Sequence, residues 1–297
     1  MADAPKTISG NRGLQLEEPL IFEQGRPGRL GVDFAETTGT KNRLGGAGRT
    51  GPIGLPDLSE PQTVRHYTRI SQKNYGIDSG FYPLGSCTMK HNPRLNEKLA
   101  RLPGFASLHP LQPMSTVQGA LELIDTCAHW LKVITGMPAI AMSPAAGAQG
   151  ELCGMMAIRA ALTDRGDARK RVLVPESAHG TNPATAAACG YAVESIPAND
   201  RGRVDFDTLI EKLDGDVAAI MLTNPNTCGL FENDIIRIAD AVHQAGAFFY
   251  CDGANLNAIM GNVRPGDLGI DCMHINLHKT FSTPPTAAAD RAPGLSF

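Results

Sequence analysis

The chain is 297 residues long, 42% hydrophobic and 19% charged, which is the balance of a globular protein with a sizeable core rather than of a disordered or fibrous one. Its formal net charge of −3, with acids and bases interspersed, leaves no basic patch for nucleic acid and no lysine-rich amphipathic helix for a membrane surface. No apolar run approaches the roughly 20 residues of a membrane span, and Met1-Ala2-Asp3-Ala4-Pro5 lacks the basic-then-apolar order of a signal peptide. A cytoplasmic protein acting on small molecules or protein partners is the expectation.

Residues 1–80 are rich in Gly, Pro and Arg, as in Gly25-Arg26-Pro27-Gly28-Arg29, with little periodicity before Val64 to Lys73. Such a segment builds no core alone and is expected to wrap another surface. From Thr116 to Thr135, Leu121, Ile124, Leu131 and Ile134 recur at helical spacing, which predicts an amphipathic helix closed by Gly136. The pattern then alternates. Short strands are predicted at Pro138 to Met142, Arg171 to Pro175, Tyr191 to Ile196, Val217 to Leu222, Ala247 to Cys251 and Cys272 to Leu277. Helices are predicted at about Gly150 to Leu162, from Pro183 to Cys189 with Asn182 as the cap, and at Asp234 to Ala245. Strands alternating with helices predict an α/β protein with a mostly parallel sheet covered on both faces. Ligands bind such sheets beyond the carboxyl ends of the strands.

Four polar residues fall at or near that edge: His179, Asn224, Asp252 and Lys279. An amine and a carboxylate on one edge suit pyridoxal phosphate chemistry, in which a lysine forms a Schiff base and an acid keeps the pyridine nitrogen protonated. A structural ion pair between the same two residues is the alternative. Ser143 to Glu151 is a small-residue turn opening a helix, so Ala146, Gly147 and Ala148 offer free N–H groups to a phosphate; tight helix packing explains the same residues. His179 suits stacking on an aromatic cofactor or an ordinary loop, and Asn224 either contacts a ligand or only makes the turn Thr223-Asn224-Pro225. Ser86, Cys87 and Thr88 sit together without a neighbouring general base, which weakens a nucleophile and leaves a pocket lining.

The seven cysteines form no C-x-x-C, which suits reduced thiols better than disulfides or zinc. On a strand, His274 and His278 lie ~13 Å apart, too far for one metal ion. No metal site is expected.

Taken in order, LGSCTMK, PAAGAQGE, SAHGTNPA, TNPNTCG, CDGANLNA and HINLHKTF closely resemble the glycine decarboxylase P-proteins of the glycine cleavage system, and Leu20-Ile21-Phe22-Glu23 resembles the second subunit of their two-subunit form. The resemblance implies the large domain of a fold-type-I pyridoxal 5′-phosphate enzyme over residues 81–284, after an N-terminal wrapping segment, 1–80. It implies Lys279 as the Schiff-base lysine, Asp252 as the pyridinium partner, His179 as the stacking and catalytic histidine, and Ala146, Gly147 and Ala148 as part of the phosphate cup. His278 would lie beside the phosphate, Asn224 near the ring, and Ser86, Cys87 and Thr88 toward substrate. The implied reaction is decarboxylation of glycine with transfer of the aminomethyl group to the lipoyl arm of H-protein, by a heterotetramer containing two copies each of this subunit and subunit 1. Another amino-acid decarboxylase of the same cofactor class, or a docking subunit without catalysis, are the rival readings.

The family continues past the lysine with a glycine-rich run and a further large portion of chain, whereas residues 285–297 here differ. The expectation is an aberrant tail read out of frame, a missing C-terminal small domain, and a chain inactive by itself. Codons that yield no glycine run in another frame would remove the frame-shift idea.

Overall fold

The computed structural model describes residues 18–31, 43–74, 76–78, 80 and 90–283, together with the backbone of 293–296. Ser86, Cys87 and Thr88 lie outside the described residues. The chain divides into two compact units, Met1–Pro83 and Leu84–Phe297. In the first, helix α1 (Glu60–Ser71) starts at Ser59, whose backbone N–H donates to the Gln62 side chain at 3.1 Å, with Pro61 in the first turn where its missing N–H costs nothing. The Glu18 carboxylate accepts from Arg69 Nε at 2.5 Å and lies 2.9 Å from His66 Nδ1. The Arg69 guanidinium holds the Glu18 carboxyl down at about 2.

The second unit begins with α2 (Arg94–Ala100), α3 (Pro103–Ala106) and α4 (Gln118–Thr135). Helix α4 ends at Gly136, whose φ of 73° is the left-handed conformation that glycine adopts without a Cβ penalty. An α/β alternation follows: β1 (Ile140–Ala141), α5 (Gly147–Asp164), β2 (Arg171–Pro175), α6 (Thr181–Ala188), β3 (Ala192–Ile196), α7 (Phe206–Lys212), β4 (Val217–Thr223), α8 (Ile235–Gln244), β5 (Phe248–Gly253), β6 (Cys272–Asn276), α9 (Leu277–Thr280) and β7 (Pro293–Ser296). The sheet order is β1-β7-β6-β5-β4-β2-β3. Strands β3, β2, β4, β5 and β6 are parallel, and β7 runs antiparallel to β6 and β1.

Period-two patterning explains why the sheet is covered on both faces. Leu173, Ile220, Leu222, Phe249, Cys251, Met273 and Ile275 pack toward one cluster with Ile235, Ile238 and Val242 of α8. Their neighbours Val172, Val174, Ala219, Met221, Tyr250 and Cys272 pack the other way, against Met155, Ile158 and Leu162 of α5. Each such fully buried side chain stabilises the fold by about 1.5–3 kcal/mol. The parallel strand order reverses direction between β2 and β4, so the crevice there opens at the carboxyl edge. Among the described residues no helix is long and apolar enough to cross a membrane.

Two boundaries differ from the sequence expectation in ways that matter for the site. Helix α5 starts three residues early, at Gly147, so Gly147 and Ala148 belong to its first turn. Helix α6 starts at Thr181 with Gly180 at the cap position, which corrects the capping role expected of Asn182: its side chain is drawn inward instead. A buried carboxylate pair offers the Asn182 amide stronger partners than the helix end does.

Candidate active site

Four strand ends and one helix start build the site. Asp252 lies inside β5, not after it, and is buried at 2% exposure. In register it stands beside Thr223 of β4 and His274 of β6. Its Oδ1 accepts the Ala254 N–H at 2.9 Å and lies 3.3 Å from His274 Nε2, while Oδ2 receives the Thr223 hydroxyl at 3.4 Å. The Asn182 amide, turned so that its nitrogen faces the acids, donates to Asp252 Oδ2 at 3.1 Å and to Glu151 Oε2 at 3.2 Å. The opposite orientation would set an amide oxygen against two carboxyl groups.

Gly253 follows because β6 leaves no room for a Cβ, which would meet the His274 carbonyl oxygen at 2.1 Å. Gly253→Ala forces β5 away from β6, and we expect a loss near the upper end of the roughly 1–3 kcal/mol typical of overpacking. A lowered urea midpoint checks this; an unchanged midpoint contradicts the packing.

Lys279 sits half-buried in the short helix α9 that follows β6, and it makes no hydrogen bond or ion pair among the described residues. Half-buried His278 precedes it. Asn224, directly after β4, is buried; its Oδ1 accepts the Glu232 N–H at 3.0 Å, but its Nδ2 has no partner among the described residues. The same holds for the buried Thr280 hydroxyl. Ala146 is the N-cap of α5, and the first-turn N–H groups beginning at Gly147 and Ala148 have no intrahelical acceptors. A Cβ on Gly147 would come within 2.2 Å of Asn276 Nδ2, so this turn packs closely against β6. His179 is exposed in the loop after β2, with its Nδ1 2.8 Å from Thr181 Oγ1.

Behind Asp252 lies a layer of polar residues with contacts that the sequence did not reveal. Glu151, 4% exposed, receives Asn182 and Thr185 at its Oε2, and its Oε1 is 2.8 Å from Thr181 Oγ1. Burial pushes its carboxyl up, and the Asp252 charge adds to this against the opposing pull of His274. His274 Nδ1 is 2.8 Å from the Tyr250 hydroxyl, whose ionisation burial makes very unfavourable. Glu151, Asp252 and His274 bring one ligand atom each within 4.8 Å of one another. The carboxyl oxygens are already occupied by the Asn182 amide, three hydroxyls and a backbone N–H, a donor set that suits shared protons. Burial also raises the Cys251 thiol to about 12, which makes it a core residue without nucleophilic character.

Helix spacing carried a signal for Glu151: with Gly154, Met155, Ile158 and Leu162 it lies on the buried stripe of α5. An acid in such a stripe demands partners.

The fold is that of a large α/β domain, and the family model of the aminotransferase class-V type matches its residues 150–285. The solved glycine decarboxylase P-protein of the glycine cleavage system, in inhibitor-bound form, has the same fold with a TM-score of 0.67 at 24% identity, over 86% of this chain and 56% of that one. A sphingosine-1-phosphate lyase from Burkholderia pseudomallei follows at 0.63 and 14%, over 87% and 63%. Among curated proteins, glycine dehydrogenase (decarboxylating) subunit 2 of Caulobacter vibrioides is 64% identical over 285 residues, 95% of this chain and 54% of that protein. The Thermococcus kodakarensis protein of the same name is 52% identical over 280 residues, 90% of this chain and 54% of that protein. The chain is similar over nearly its whole length to these second subunits, and it spans about half the length of the curated relatives it matches.

Proposed function

We propose that the site holds pyridoxal 5′-phosphate and serves the decarboxylation of glycine, with the aminomethyl group passing to the lipoyl arm of H-protein in an assembly with a partner subunit. The observation that carries this reading is the placement of a buried carboxylate, Asp252, on β5 and, five residues beyond its register neighbour His274 on β6, of an amine, Lys279, that makes no hydrogen bond or ion pair among the described residues. The donor set fits the cofactor: a carboxylate for a ring N–H, an amine for an aldehyde, free helix-start N–H groups for a phosphate, and orphaned buried donors on Asn224 and Thr280. When bound, the cofactor supplies a ring that accepts the electron pair released as a bond at Cα of an amino acid breaks.

The chain's own residues then divide the work. Lys279 is the covalent attachment point. Asp252, fixed by Ala254, Thr223, Asn182 and His274, presents a charge whose place is set before any ligand arrives. The first turn of α5, from Ala146 through Gly147 and Ala148, would hold the phosphate, with His278 beside it. His179 would stack on the ring and move protons, and Asn224 would lie near the ring. Ser86, Cys87 and Thr88 are assigned to the substrate, residues 81–284 to the cofactor domain, and the setting is cytoplasmic.

The test uses the purified chain. Incubation with pyridoxal 5′-phosphate should give a visible band that borohydride removes, and peptide mapping should place the reduced adduct on Lys279. Glycine should perturb the band before reduction, whereas bulkier amino acids should not. Labels scattered over several lysines, or a band indifferent to glycine, reject the reading.

A further inference from the structure

The ladder between β2 and β4 stops early. Its last register pair is Leu173 and Ile220, whereas β4 and β5 stay paired as far as Thr223 and Asp252. His179 therefore lies six residues beyond the last point at which β2 is paired with β4, and Asn224 one residue beyond the end of β4. Strand pairing does not set these two loops against each other or against Asp252. Two side chains with no part in the proposed chemistry span the gap. Asn255, three residues after Asp252, donates from Nδ2 to the carbonyls of Pro225 and Asn226, at 2.9 and 3.4 Å. Thr227, in the same turn, donates its hydroxyl to the Ser177 carbonyl at 2.5 Å, two residues before His179. Carbonyl oxygens only accept, so both directions hold whatever the protonation of neighbouring groups, and the opposite Asn255 amide orientation would set oxygen against oxygen.

The turn between these two bonds is braced from within. Asn226 Oδ1 accepts the N–H groups of Cys228 and Leu230, each at 3.0 Å, and its Nδ2 donates to the Gly202 carbonyl at 2.8 Å. Ser177, Ala178, Thr223 and Asn226 close on a cavity of only about 10 Å³, room for one water molecule at most, so the loops meet directly. We infer that Asn255 and Thr227 are positioning residues for the site: Asn255 ties the loop behind Asp252 to the turn that carries Asn224, and Thr227 ties that turn to the loop that carries His179. Loss of either bond lets His179 drift from Asp252, which the sheet holds still. Thr227 is exposed and Asn255 half-buried, so neither bond holds the core together. Ordering three loops around one ligand costs entropy, and the two bonds meet that cost before the ligand arrives.

This role rests on the proposed cofactor site, but its first test is made without cofactor. Amide hydrogen exchange in the full chain should be faster at Ala178, Thr181 and Asn182 in Thr227→Val, by about 2- to 10-fold, the range for loss of one net hydrogen bond. Thr227→Ser should restore the native rates. Asn255→Ala should speed exchange at Cys228 and Leu230 and, through the turn, at Ala178, Thr181 and Asn182 as well; a change confined to its own turn overturns the coupling. With pyridoxal 5′-phosphate added, Thr227→Val should weaken cofactor retention, read from the visible band, by a similar factor and with an unchanged urea midpoint. In a His179→Gln background the same substitution should cause no further loss, because its influence passes through His179. Additive losses, or native exchange rates in Thr227→Val, overturn the inference. A chain that takes up no cofactor defeats the proposed function instead, and the exchange rates still decide whether the three loops are coupled.

Discussion

Replacement of Lys279 by alanine should abolish the borohydride-stable adduct. Two lysines lie near the end of β6 and compete for the role. Lys90 is partly buried, its amine is held below the ordinary value by desolvation, and a depressed amine is a better nucleophile. That amine is already committed: it donates to Asn92 Oδ1 at 2.7 Å and to the Phe281 carbonyl, while Asn92 and Asn96 hold Ser282. Lys90 therefore ties down the segment that carries Lys279, whereas Lys279 itself makes no hydrogen bond or ion pair among the described residues. Lys90→Met should keep the label on Lys279 and reduce its yield by loosening that segment. In an assembly that turns over, Lys279→Ala should lower the rate on the order of 10³-fold or more, the scale at which removal of a nucleophile leaves only binding and orientation. A label that maps to Lys90 in the native chain would reverse the assignment.

The order of the strands' chemistry was legible in the sequence because each acts through a local pattern. Val217 to Thr223 is apolar throughout and is buried throughout, and the small residues before α5 announce a helix start. The helix closed by Gly136 appears where its periodicity placed it. The depth of the site was not legible, because it depends on which elements meet across the sheet. Asn182 has the local signature of a cap, and only the arrival of Glu151 from α5 and Asp252 from β5 gives its amide a better use. Likewise His274 was weighed as a metal ligand with His278, four residues on, which lies in α9 and not on the strand. Its partners are Tyr250 and Asp252, which are two apart on the neighbouring strand and so share its face. Contacts within an element follow from spacing; contacts between elements follow from register.

Asp252→Asn should separate attachment from electronic activation. Asp252 is surrounded by donors, so its replacement by alanine would strand the Ala254 N–H, the Thr223 hydroxyl, the Asn182 amide and His274 together. That costs about 3–5 kcal/mol, the scale for removing one partner of a buried charged network, and confuses a folding defect with a chemical one. Asparagine keeps an oxygen for Ala254 and places an N–H₂ where Oδ2 now accepts from Asn182. Asn182 must then turn its own oxygen toward position 252 and give up its bond to Glu151, a cost of about 1–3 kcal/mol that a folded domain can absorb. The adduct on Lys279 should therefore survive in Asp252→Asn. What disappears is the negative charge that makes a ring N–H⁺ favourable, so the ring nitrogen of ¹⁵N-labelled cofactor should move from a protonated to a free-pyridine signal. Where turnover is measurable it should fall by on the order of 10²–10³-fold, as for loss of one preorganised electrostatic partner. A ring nitrogen that stays protonated in Asp252→Asn would mean that another group on this edge supplies the charge, and Asp252 would then be a structural acid that anchors β5 to α6 and β6.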